Sequence, residues 1–230
     1  MAAIPPYLNV FAKPGYESLV LHQRQLNSCS ANALALLCFF SLKRTLGIQA
    51  FLPSRLFIYY NARMLAGYAA DAHLFGTRGA GITLPQGVRA IQKFGFCPES
   101  SWPYDVSKLN TWPPPSLYQE ACNYRMQNFQ NLPLDFRQLK KHLSTKGPFA
   151  FSIPIFKKFQ TISKDNLHIR LPKSATKPVA NHSLLAIGYD DRERLFIVQN
   201  SMGREWGNQG KAFLPYGYLE KYAFDAIGLR

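Results

Sequence analysis

The chain has 230 residues, with 27 lysines and arginines against 13 aspartates and glutamates, a formal net charge of +14. That length supports one large domain or two small ones with a substantial core, and a composition 47% apolar and 14% aromatic excludes general disorder. No uninterrupted apolar run nears the roughly 20 residues that cross a bilayer, while the basic excess favours an acidic partner, whether nucleic acid, anionic membrane or acidic substrate.

Residues 1–24 read as extended or looped, broken by Pro5, Pro6, Pro14 and Gly15. Residues 28–41 are apolar almost all round, which marks a buried helix with Ser28 as its N-cap. A second helix is expected from Ser54 to about Ala66, stopped by Gly67. Residues 69–85 read as loop, then a helix runs from about Gln86 to Phe94 and ends at Gly95. Prolines make 96–115 irregular, with a short helix after Ser116.

Asp135 caps a helix expected to run to about Thr145. The pattern then changes to strands: Phe149, Phe151 and Ile153 alternate with smaller residues, with further strands at His182–Tyr189, Leu195–Gln199 and Ala212–Pro215. A helical part at 1–133 followed by a strand-rich part at 134–230 makes an α+β chain, one structural unit with a site where the halves meet.

Cys29, Cys38, Cys97 and Cys122 are too few for a disulfide scaffold, and none forms a Cys-x-x-Cys pair. The N-terminus lacks a secretory signal pattern, so a reducing, intracellular setting is favoured. Cys29 opens the buried helix, where backbone N–H groups and the helix dipole favour a thiolate. A nucleophilic thiol also needs a base and a group to orient it. His182 begins an apolar strand and Asn200 ends the next, so a hairpin sets the asparagine oxygen beside the imidazole.

The local sequences strengthen this. Residues 23–31, Gln-Arg-Gln-Leu-Asn-Ser-Cys-Ser-Ala, resemble the Gln-x-x-x-Gly-Ser-Cys-Trp-Ala segment of papain-like cysteine peptidases, and more so its disulfide-free prokaryotic form. Residues 181–189 are similar to that family's Gly-His-Ala-Val-x-x-Val-Gly-Tyr strand, and Asn200-Ser201-Met202-Gly203 with Trp206, Gly207 and Gly210 to its Asn-Ser-Trp-Gly-x-x-Trp-Gly-x-x-Gly block. The order of cysteine, distant histidine and asparagine also fits.

The resemblance implies a helical left domain, a β-barrel right domain, and an active cleft between them. It implies an endopeptidase acting through a thiol acyl-enzyme, with Cys29 as nucleophile, His182 as base and acid, and Asn200 orienting it. Gln23 donates to the oxyanion, Trp206 lines the leaving-group side of the cleft, and Gly79 and Gly81 let a substrate backbone approach. Ser30, Asn27, Arg24 and Met202 depart from the family pattern. Two competing readings are a papain-fold binding module for nucleic acid or another polyanion, and acyl transfer or removal of a protein modifier by the same dyad.

Residues 136–178 hold ten lysines and arginines against one acid, Asp165. This stretch is a candidate polyanion contact, and Lys173 and Lys177 are candidates to rim the site and accept acidic substrates. No cofactor and no metal are expected, nor a membrane span, and a monomer is the expected state. Cys38, Cys97 and Cys122 read as core or half-buried thiols, and His22, His73, His142 and His168 as surface or capping residues.

Overall fold

A computed structural model describes residues 4–12, 19–68, 76–173 and 176–230. The chain divides into two compact units, Gln23–Phe129 and Met1–His22 with Gln130–Arg230. The expected boundary at 133/134 thus moves by a few residues, and the first segment changes sides. The reason is backbone pairing: β1 (Tyr7–Asn9) hydrogen-bonds to the strand Ala180–Asp190.

The helical unit is built on α1 (Cys29–Leu46), α2 (Arg55–Leu65), α3 (Leu84–Phe94) and α4 (Pro115–Ala121). Ser54 caps α2 by accepting from the Phe57 N–H. α3 starts two residues earlier than expected, because Thr83 and Gln86 form a reciprocal capping box. α1 is the central helix: Ala31, Leu34, Ala35 and Cys38 are fully buried. With its following turn it gives one stretch, Cys29–Gln49, apolar and long enough to cross a membrane, which the run-length reading had not anticipated. Over half of that window (56%) is buried inside the protein, as in the core helix of a soluble fold.

The strand unit contains α5 (Phe136–Thr145), capped by Asp135, and α6 (Tyr216–Tyr222). Its strands are β3 (Phe149–Ile155), β4 (Ala180–Asp190), β5 (Leu195–Gln199), β6 (Lys211–Pro215) and β7 (Asp225–Leu229), with β2 (Phe129–Asn131) at the junction of the units. The sheet order is β2-β7-β3-β4-β5-β6, with β1 joining β4. β3 is buried at every position, so its two-residue alternation reflects residue size and not exposure.

The sheet is open, where a closed barrel was expected. The outer edge of β6 pairs with an irregular segment: Ile169 donates to the Phe213 carbonyl and Phe213 to Leu167. That pairing satisfies the edge without closure. Phe149, Phe151, Phe196, Tyr216 and Tyr218 fill the core of this unit.

No disulfide joins the four cysteines. Burial holds the Cys38 thiol far above its ordinary range and pushes Cys97 to about 12. Cys122 is exposed, contrary to the expected half-burial, because it lies on the short turn after α4. His142 is buried, not superficial, since α5 turns it onto Gly228 and Phe149. His22 and His168 are exposed, and His73 lies outside the described residues.

Candidate active site

The helical unit carries Gln23 and Cys29 on one turn. Leu26 N–H donates to the Gln23 carbonyl (3.2 Å), and Gln23 Nε2 donates to the Leu26 carbonyl (2.8 Å). Arg24 takes a left-handed φ of 54° within this turn. Cys29, half-buried, is the first residue of α1. Ser28 precedes the helix as expected, yet its side chain makes no capping bond. Instead its Oγ lies 2.5 Å from the Tyr104 hydroxyl, which donates to the Gln23 carbonyl at 2.9 Å.

That contact opens a buried network behind the turn. Asn32 Nδ2 donates to the Ser28 carbonyl and Oγ, and Arg55 donates to Asn32 Oδ1 at 3.0 Å. The Arg55 guanidinium lies 4.0 Å from the Tyr104 ring centroid and pairs with Glu99 at 2.5 Å. Burial raises the Tyr104 pKa and so keeps its hydroxyl protonated. Tyr104, Asn32 and Arg55 were missed in the sequence because no motif marks them, and the segments meet only in space.

Asn27 ties the same turn to residues 78–79: its N–H donates to the Arg78 carbonyl and its Nδ2 to the Gly79 carbonyl, both at 2.9 Å. Ser30 is buried and donates to the Ile82 carbonyl at 2.7 Å. Gly79 has a φ of 66° and no room for a Cβ beside the Tyr59 hydroxyl. Gly81 is exposed, with open space around it.

The strand unit carries His182, Asn200 and Trp206. His182 Nε2 lies 2.7 Å from Asn200 Oδ1, and both residues are buried. The same oxygen accepts from the Ser201 N–H at 2.7 Å, so an acceptor, not a donor, faces the imidazole. This makes Nε2 the protonated nitrogen of a neutral ring and leaves basic character to Nδ1. The Phe159 ring stands 5.5 Å from the imidazole and 5.1 Å from the Trp206 ring, centroid to centroid. Trp206 is buried, and its Nε1 donates to the Phe159 carbonyl at 3.0 Å. Met202 packs partly buried against this core, and its segment pairs with His22. Lys173 and Lys177 are exposed.

This pairing sits in a stretch that matches a known family: the profile described as papain family cysteine protease fits residues 76–218. The chain belongs to the papain family of cysteine proteases.

The papain-family match covers His182, Asn200 and Trp206, while Gln23 and Cys29 precede it. An uncharacterized peptidase C1-like protein of Acanthamoeba polyphaga mimivirus is 32% identical over 86% of this chain and 65% of its own length. Mouse cathepsin K is 25% identical over 89% of the chain and 58% of its length. The chain thus spans less than two thirds of these curated relatives. Among solved structures, xylellain, a cysteine protease from Xylella fastidiosa, superposes with a TM-score of 0.87 at 28% identity. That superposition covers 99% of this chain and 87% of xylellain. A Carica candamarcensis cysteine protease shares the fold, with a TM-score of 0.72 at 14% identity over 98% of each chain.

Within the papain family, three departures of this chain now have physical accounts. Asn27, in place of glycine, uses its amide to fasten the turn to Gly79. Ser30, in place of tryptophan, fastens the first turn of α1 to Ile82. For Met202 the thioether packs where the family has an indole and retains apolar cover with less rigidity.

Proposed function

We propose that the chain is an endopeptidase that cleaves peptide bonds through a thiol acyl-enzyme, with Cys29 as nucleophile and His182 as base and acid. The observation that carries the reading is the buried 2.7 Å bond between His182 Nε2 and Asn200 Oδ1 in a papain-family chain. It fixes the ring and the tautomer, so Nδ1 is the nitrogen that takes the thiol proton.

The Cys29 sulfur attacks the peptide carbonyl carbon, forming a C–S bond while the carbonyl π pair moves to oxygen. The Cys29 backbone N–H and an N–H of Gln23 Nε2 meet that oxyanion, and donors of this kind are worth about 2.7–4 kcal/mol each. Collapse breaks the C–N bond, and the imidazolium gives its proton to the departing amine. His182 then takes a proton from water as it attacks the thioester carbon; the C–S bond breaks, the carboxylic acid leaves, and the imidazolium returns its proton to the sulfur. Tyr104 and Asn27 support the reading by holding the Gln23–Cys29 turn from two sides. Four cysteines without a disulfide support a reducing compartment as the working environment.

Replacement of Cys29 by Ala is expected to abolish both hydrolysis of a mixed peptide library and labelling by an epoxide thiol reagent. An alanine variant that still cleaves at the wild-type rate would overturn the assignment.

A further inference from the structure

We infer that the surface beside His182 selects substrates with acidic side chains just after the scissile bond, and that Lys157 and Lys158 are the residues that read them. The inference rests on the peptidase reading above and assigns its substrate class. It starts from the 3-10 turn Lys157–Thr161, which follows β3. Phe159 points inward from this turn: it is buried, packs edge-on to the His182 imidazole and holds the Trp206 indole through ring and carbonyl contacts. A 3-10 turn repeats every three residues, so the neighbours of an inward Phe159 face out. Lys157, Lys158 and Gln160 are all exposed.

Two exposed lysines are thereby carried on the turn that packs, through Phe159, on the His182 ring. His182 hands its proton to the departing amine, so the wall it shares with Phe159 and Trp206 faces the half of the substrate that bears that amine. A lysine side chain is long enough to meet a carboxylate one or two residues beyond the cleaved bond.

Charge balance supports this. Arg55 pairs with Glu99 and Lys140 with Asp191, and neither of these pairs draws an acid to Lys157 or Lys158. The same stretch adds exposed Lys164, Arg170, Lys173 and Lys177 against Asp165 alone, and near Trp206 the exposed Arg204 offsets Glu205. The charge of this stretch is positive, and two of its lysines, Lys157 and Lys158, stand on the turn that packs on the imidazole. A short acidic peptide segment fits that distribution better than a long nucleic-acid backbone does.

The test uses matched peptides carrying Asp and Glu, or Asn and Gln, in the two positions after a common cleavage site. The wild type at low salt is expected to favour the acidic peptide about fivefold in kcat/KM, and to lose most of that preference at 0.5 M salt. The Lys157→Glu/Lys158→Glu variant is expected to cleave the neutral peptide at the wild-type rate and to disfavour the acidic one. A parallel binding assay gives the Cys29→Ala protein the leaving-group products, each labelled at its C-terminus, and expects the same ranking of affinities.

Cleavage of both wild-type substrates at equal rates overturns this inference and leaves the peptidase reading standing. Failure of the wild type to cleave either peptide, with no thiol labelling, overturns the peptidase reading, and the binding ranking then decides the acidic preference by itself. Indifference to peptide charge combined with tight binding of a single-stranded oligonucleotide overturns the inference in favour of a nucleic-acid surface.

Discussion

Tyr104 and Ser28 lie 76 positions apart in sequence, yet their hydroxyls stand 2.5 Å from each other at the residue that precedes Cys29. Tyr104 also donates to the Gln23 carbonyl, so a single phenol braces both ends of the turn that leads into Cys29. The brace leads outward through Asn32 and Arg55 to Glu99.

Replacing Tyr104 by Phe removes that hydroxyl and leaves the buried Ser28 Oγ short of a partner. A loss of about 1–3 kcal/mol in stability is expected. Because the Gln23 donor loosens with it, kcat should fall more than KM changes. Denaturant unfolding and steady-state kinetics check the two halves, and a variant that loses stability with kcat untouched refutes the positioning role.

Asn200 fixes the His182 ring through one neutral hydrogen bond. Its replacement by Ala is expected to lower kcat/KM about tenfold, the worth of about 1.5 kcal/mol of orientation. The pH profile should also change shape, since the tautomer is no longer fixed. An unaltered rate and profile in Asn200→Ala would show that the packing of Phe159 alone positions the ring.

His142 supplies a pH dependence of stability. Burial, helped by the nearby Lys146 charge, lowers its pKa from 6.5 to about 4. The folded protein therefore resists a proton that the unfolded chain accepts near 6.5. This contribution is fully present above that value and is lost as pH falls toward about 4. His142→Gln should flatten the decline in unfolding midpoint between pH 7 and pH 4.5. Equal declines in both proteins would assign acid lability to other groups.

The N-terminal strand depends on Gly188, where an added Cβ would come within 2.1 Å of the Leu8 carbonyl oxygen. Gly188→Ala is expected to expel β1, break the Tyr189 hydroxyl bond to the Pro5 carbonyl, and cost roughly 1–3 kcal/mol. Limited proteolysis should then remove the first residues quickly. An alanine variant that is as resistant as wild type would mean that β4 shifts to accommodate the methyl.

The sequence by itself determined the helices that carry strong local signals, such as α1 by its uniform apolarity and α5 by its Asp135 cap. It also determined the strands β3 to β6 and the motif residues Gln23, Cys29, His182 and Asn200, because each lies in a short segment whose chemistry is local. β1, β2, β7 and α6 were not legible, since short or C-terminal segments gain their structure from the partners they pair with. The open sheet edge, the burial of His142 and the Tyr104–Ser28 contact were likewise decided only in three dimensions. In each case the deciding interaction joins residues far apart in the chain, and no spacing rule reports such a contact. The net charge of +14 followed the same course. Composition only favours an acidic partner, and the packing of Phe159 against His182 decided which two lysines, Lys157 and Lys158, stand on the turn beside that imidazole.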